Sequence, residues 1–262
     1  MSKTTASTAK SRDLTQGSIA KTMLLFALPT LGSSALQSLN GSINAVWVGR
    51  FLGEEALAAT ANGNILMFIL ISFVFGFGMA ATILIGQAMG RRNDTMVKRT
   101  MGTALGSIIP ISILVSAIGW LFAPLLLNLL GTPASAVELA LTYLRMIFVA
   151  MPVTLTFTLI MMALRGPGDS TTPLWFIIIS VIIDLILTPV LILGIGPFPE
   201  WGIFGSAFAT AVANTLALIG MIVTMYLRGS VLTLKLPELR FLRADRDILK
   251  SMFSKGLPMG CR

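Results

Sequence analysis

The chain contains no histidine and a single cysteine, Cys261. An intrachain disulfide is therefore excluded, and so is a Cys/His metal centre. Charge is scarce as well. Asp, Glu, Lys and Arg make up 11% of the 262 residues, against about 25% in soluble domains. Hydrophobic residues make up 55%. Such a composition belongs to an integral membrane protein, for which the lipid bilayer is a partner. The net charge of +8 does not point to nucleic acid. The basic residues sit in short clusters between long apolar runs, where orientation signals lie.

A helix needs about 20 apolar residues to cross a bilayer. Six runs qualify: Ile19–Val48, Ala56–Met89, Met96–Leu130, Val137–Leu164, Pro173–Leu193 and Gly202–Leu227. Pro29, Pro110, Pro152 and Pro189 fall inside four of them, where each removes a backbone donor and favours a kink. Residues 1–18 are polar and rich in Ser and Thr, and read as a disordered tail. The apolar run after them is too long for a signal-peptide core and lacks a small-residue cleavage site.

The loops alternate in charge. Lys10, Arg12, Lys21, Arg91, Arg92, Lys98, Arg99, Arg165 and the cluster from Arg228 to Lys255 fall on one side. Glu54, Glu55, Glu138 and Glu200 fall on the other, with Arg50 the clear exception. The positive-inside rule then predicts a cytoplasmic N-terminus. Residues 229–250 form a basic cytoplasmic linker, either joining two helix bundles or resting on the membrane through Leu232, Leu234, Phe241 and Leu242.

After the linker the beginning of the chain returns. Ile19–Pro29 reads IAKTMLLFALP and Ile248–Pro258 reads ILKSMFSKGLP, with Ile, Lys, Met and Leu-Pro in matching places. Repeated halves are common in secondary transporters. Residues 19–228 are thus expected to be a six-helix lobe, and residues 251–262 the truncated start of a second one.

One acid interrupts the fifth run. Asp184 stands in the middle of IIISVIIDLILTPVLILG, near the depth where a spanning Asp costs roughly 2.5–3.5 kcal/mol. Ser180, Asp184 and Thr188 share one helix face. The first run carries Ser33, Gln37, Asn40 and Asn44, the second Asn62 and Asn64, and the sixth Ser206, Thr210 and Asn214. None of these faces lipid favourably. They are expected to converge on an interior shared by the first, second, fifth and sixth spans. Ser, Thr and Asn stripes alone can be helix glue. A carboxylate is not needed for that, and it is stable in hydrocarbon only when neutral or beside a cation. Met79, Met151, Met161 and Met162 are available as an adaptable apolar lining.

Several stretches resemble the multidrug and toxic compound extrusion (MATE) family: VWVGRFLG at Val46–Gly53, ALRGPGDSTTP at Ala163–Pro173, Asp184 through GIGPFPEWGIFGSAFATAVAN to Asn214, and KGLPMG at Lys255–Gly260. The resemblance implies an all-α integral membrane fold. This chain would supply the six-helix N-terminal lobe of a twelve-helix transporter, truncated at the start of helix seven. It also implies a cation-coupled antiporter that exports organic compounds, with no cofactor beyond H⁺ or Na⁺. Asp184 matches the coupling carboxylate of the bacterial and archaeal branch, placing any bound Na⁺ there. Asn44 stands where the family carries a second carboxylate, Ser180 where an Asn is common, and Thr210 matches a threonine of the same cluster. Gln37, Asn40, Asn62, Thr188 and Asn214 are expected to line the cavity. Arg165 and Asp169 match the loop between helices four and five, and read as a cytoplasmic hinge or cap.

The implied partners are a cationic or amphipathic small molecule, and either a missing C-terminal lobe or a second copy of the chain. The implied location is a bacterial inner membrane. Two rival transport readings are a flippase for lipid-linked sugars and an inactive fragment or dimeric half-transporter. The flippase would need several cations in its cleft, and only Arg145 offers itself. Gly166–Asp169 also reads GPGD, but an aspartyl protease needs two facing carboxylates; no enzymatic role is expected.

Overall fold

The computed structural model describes residues 19–129, 131–132, 136–234, 236–243 and 245–260. The tail at 1–18 and Cys261 lie outside the described residues. Those described form helices and loops, without a strand. The long helices are α1 (Ile19–Gly90), α2 (Asp94–Leu129), α3 (Val137–Arg165), α4 (Thr171–Leu193) and α5 (Gly202–Leu227). A 3₁₀ helix at Leu236–Leu242 and α6 (Arg246–Gly260) follow.

The first two expected spans are joined in α1. At 72 residues a straight helix would be about 108 Å long, far beyond a membrane. It is divided at Gly53, whose φ of 86° and ψ of −176° are not helical. Only glycine adopts that conformation readily. There the chain doubles back, and the Cβ position of Gly49 lies 3.5 Å from Leu57. α1 is therefore two helical arms joined at Gly53. The other boundaries lie close to the apolar runs, because loss of hydropathy and helix termination coincide there. Pro29, Pro110, Pro152 and Pro189 all lie within continuous helices, as does Pro124.

The core forms where small residues let helices approach. Ala80, Ala81, Ala104, Ala123 and Ala140 are buried among Leu127, Leu144, Phe148 and Leu159. A second cluster joins Ile85, Met101, Ile160, Ala217 and Met221. Bulky apolar side chains at Leu121, Phe122, Ile186, Leu216 and Val223 face outward, as lipid contact requires.

The basic segment after α5 folds back onto the helices rather than spreading on a membrane. Leu232 and Leu234 are buried, and Tyr226 donates a hydrogen bond to the Leu234 carbonyl. The 3₁₀ helix lies across α2 at Gly102 and Gly106. A Cβ on Gly102 would sit 2.6 Å from the Phe241 carbonyl oxygen, and one on Gly106 would overlap the Leu242 carbonyl. Lys98 pairs with Glu238 at 2.7 Å, Arg99 pairs with Asp245, and the Asp245 N–H donates to the Thr103 hydroxyl. The Asp245 carboxyl is held below the usual carboxylate range, chiefly by the Asp247 backbone N–H and further by Arg99. Beyond this clasp, Ile248 and Met252 of α6 join the same core as Ala80 and Ala104.

Candidate functional site

Helices α4 and α5 run antiparallel, and their polar stripes meet in register. Ser180 donates to the Asn214 side-chain oxygen at 3.0 Å, and one turn deeper Thr210 donates to Asp184 at 3.0 Å. Asn214 continues outward to the Thr154 hydroxyl of α3 at 3.3 Å. The i, i+4 spacing of both stripes produces this ladder, since each places a polar side chain on the facing surface once per turn.

Asp184 is 1% exposed. Its Oδ2 accepts hydrogen bonds from the Asn40 and Asn44 amides of α1, both at 2.7 Å. Its Oδ1 accepts from the hydroxyls of Thr210 and, at 3.2 Å, Thr188. Four donors from three helices thus surround one carboxylate, the arrangement that lets a charge persist in a dry interior. The two amides have spent their N–H groups on Asp184. Their carbonyl oxygens, Asn40 Oδ1 and Asn44 Oδ1, are buried with no partner among the described residues. Such orphaned acceptors are costly and call for an explanation.

The cluster borders a cavity of about 380 Å³. Gln37, Asn40, Asn44, Ser180, Thr210 and Asn214 all line it. Thr188 does not: it is fully buried, one turn along α4 from Asp184 and bonded to it. The Asn62 side chain lies outside the described residues, while its neighbour Asn64 lines the cavity and accepts from Tyr143 at 3.4 Å. Ser33 is buried and bonded to the Pro29 carbonyl at 2.8 Å; it only serves its own helix. Met161 and Met162 line the cavity, but Met151 is core and Met79 faces outward. The hydrophobic pattern alone could not sort these methionines.

Two expectations about arginines change. Arg145 lies over the Trp120 ring at 4.8 Å and is absent from the cavity wall. Arg165 is instead one of the lining residues, not merely part of a loop cap. Asp169 does cap a helix. Its Oδ1 accepts from the Thr172 N–H at 2.9 Å, and its Oδ2 from the Thr172 hydroxyl at 2.6 Å. The sequence reading also missed the α3 wall formed by Tyr143, Ile147, Ala150, Thr154 and Thr158. Their spacing of three and four places them on one helix face, a signal hidden because it mixes apolar and polar types.

The architecture has known counterparts. The MatE family pattern matches residues 29–190. The chain belongs to the MATE family. Among curated relatives, "Probable multidrug resistance protein YoeA" of Bacillus subtilis (strain 168) is 36% identical over 241 residues, covering 92% of this chain and 52% of that protein. A "FAD transporter" of Shewanella oneidensis is 30% identical over 237 residues, covering 90% of this chain and 51% of that one. A solved outward-facing structure of a multidrug resistance MATE family transporter superposes with a TM-score of 0.84 at 20% identity, covering 99% of this chain and 55% of that one. The chain spans about half the length of the curated relatives it matches. As a MATE member with this coverage, it has the all-helical fold of an N-terminal half. Its curated relatives are named as transporters or resistance proteins rather than enzymes.

Proposed function

We propose that this MATE chain forms one lobe of a cation-coupled antiporter exporting organic compounds, and that Asp184 holds the coupling ion. The observation that carries this reading is the pair of unpartnered amide oxygens beside a four-times-bonded carboxylate. Four donors face the Asp184 carboxyl, and the acceptors beside it are the two amide oxygens turned away from it. If a Na⁺ enters, Asn40 and Asn44 can turn their amides over and offer oxygens to the same point as Asp184. If a proton enters instead, the Asp184 hydroxyl needs an acceptor, and one turned amide supplies it. Either event reorients side chains on α1 against α4 and α5 at the cavity wall. A ligand shifts the balance between two shapes only through its different affinity for each, and this site gives such a difference a structural form. Since Asn44 stands where the family's second acid is expected, one carboxylate limits exchange to a single charge.

Residues 229–250 are read as a cytoplasmic linker and the segment from Ser251 as the start of a second lobe. The matched stretches Ile19–Pro29 and Ile248–Pro258, and the half-length coverage, support that assignment. The membrane is then a bacterial inner membrane with the N-terminus in the cytoplasm, supported by the loop charges and the bacterial relatives.

The test is thermal unfolding of the purified chain in detergent across NaCl, KCl and choline chloride at equal ionic strength, and across pH. A bound cation stabilises the state that binds it by mass action. We expect the unfolding temperature to rise with Na⁺ or acid, and the rise to vanish in Asp184→Asn. A cation response that persists in that variant, or none in the parent, would remove Asp184 from the role.

A further inference from the structure

The charge of the cavity wall differs from what a cationic substrate requires. Among the described residues, Arg165 is the single charged one that lines the cavity. Asp184 contributes no exposed oxygen to that wall: it is 1% exposed, and both its oxygens are covered by donors. Arg165 takes part in no salt bridge among the described residues. Its nearest acid in sequence, Asp169, is committed to Thr171 and Thr172. Arg165 ends α3, whereas Asp184 lies thirteen residues into α4, roughly 20 Å further along at 1.5 Å per residue. The covered carboxylate and the arginine are therefore well separated along the helices. The wall offers Phe75, Phe157, Met161 and Met162 for an apolar body, and the Gln37 and Asn64 amides also line it.

From this we infer that the lobe accepts an amphipathic anion, a planar or apolar body carrying a phosphate, sulfonate or carboxylate that pairs with Arg165. A guanidinium is suited to these groups because its forked N–H donors match two oxygens at once. In a narrow, partly apolar cleft, one unpaired cation also draws anions by its field. This deepens the proposed transport reading by naming the substrate class of the same cavity, and it narrows the cationic or amphipathic substrate expected from sequence to an amphipathic anion.

The test uses three tricyclic dyes and the intact chain in phosphatidylcholine nanodiscs, with empty discs subtracted. Flavin mononucleotide and riboflavin share a ring system and differ by one phosphate, while proflavine is a planar cation of similar size. Dye fluorescence is titrated with the protein. We expect flavin mononucleotide to bind at least about tenfold more tightly than riboflavin, the ratio set by roughly 1.4 kcal/mol. Arg165→Gln should bring that ratio close to one, Arg165→Lys should retain part of it, and proflavine binding should not weaken in either. Size-exclusion profiles identical to the parent's confirm that the variants are folded. Discs containing one-third phosphatidylglycerol separate two sources of the anion. If flavin mononucleotide loses its advantage there, a lipid headgroup occupies Arg165; if it keeps it, the ligand is a free solute. Equal binding of the two flavins, a preference that survives Arg165→Gln, tighter binding of proflavine, or no saturable binding of any dye would each overturn the inference. None of these outcomes bears on the Na⁺ and proton response at Asp184, which stands or falls by its own melting experiment.

Discussion

The carboxylate network makes a quantitative demand on what can replace Asp184. In Asp184→Leu the two amides of Asn40 and Asn44, each donating at 2.7 Å, lose their acceptor in a buried site. Thr210 can fall back on the Ser206 carbonyl at 3.3 Å, and Thr188 on the carbonyl of its own preceding turn. Two orphaned donors remain, each costing about 1–3 kcal/mol, so the loss is about 2–6 kcal/mol. For a chain of this size that lowers the unfolding temperature by at least about 4 °C. Asp184→Asn behaves differently. Its oxygen can face the two amides and its own amide can face the threonine hydroxyls, so every group keeps a partner. Only the charge assistance of those bonds is lost, about 1 kcal/mol apiece, and the relief from burying a charge offsets much of it. Heating each variant in detergent and following monodisperse protein by size exclusion gives the comparison. We expect Asp184→Asn to melt within a few degrees of the parent and Asp184→Leu well below both. If Leu were tolerated as well as Asn, the hydrogen bonds would not be what balances this site, and the coupling reading built on them would lose its footing.

Two further expectations concern the clasp on α2. Gly106→Ala puts a methyl group into the Leu242 carbonyl, so the 3₁₀ helix must lift. Limited trypsin digestion should then cut at Arg240 or Arg243 several-fold faster, with the spanning helices still protected. Acid should loosen the same contact. A carboxyl whose pKa is depressed on folding adds stability above its unfolded value, near about 3.9, and that contribution disappears as pH falls through the folded value. Pepsin cleavage around Asp245 should therefore rise only below about pH 4 in the parent, and should lose this pH step in Asp245→Asn.

Much of this was readable because hydropathy and helical spacing act locally. The boundaries of α3 and α5 follow from where apolar runs begin and stop, and the pairing of Ser180 with Asn214 and Asp184 with Thr210 follows from two stripes of equal period. What stayed hidden depended on three-dimensional neighbours. Thr188 shares the face of Asp184 but does not line the cavity, and only the packing of α1 and α5 decides that. Arg165 looked like a loop residue because nothing local shows that α3 forms a cavity wall down to its last turn. Gly102 and Gly106 gave no signal at all. Their meaning lies in a segment far along the chain that crosses them at backbone distance.

That distance along the chain has a consequence for biosynthesis. Thr103 and Asp245, which touch in the finished clasp, are 142 residues apart. At about 5–20 residues per second, the glycine groove on α2 waits roughly 7–30 s on the ribosome before its occupant is made. Until then the groove lacks the backbone that covers Gly102 and Gly106 in the finished fold. Arrival of the 3₁₀ helix closes it, and so marks the moment at which the preceding helices are complete.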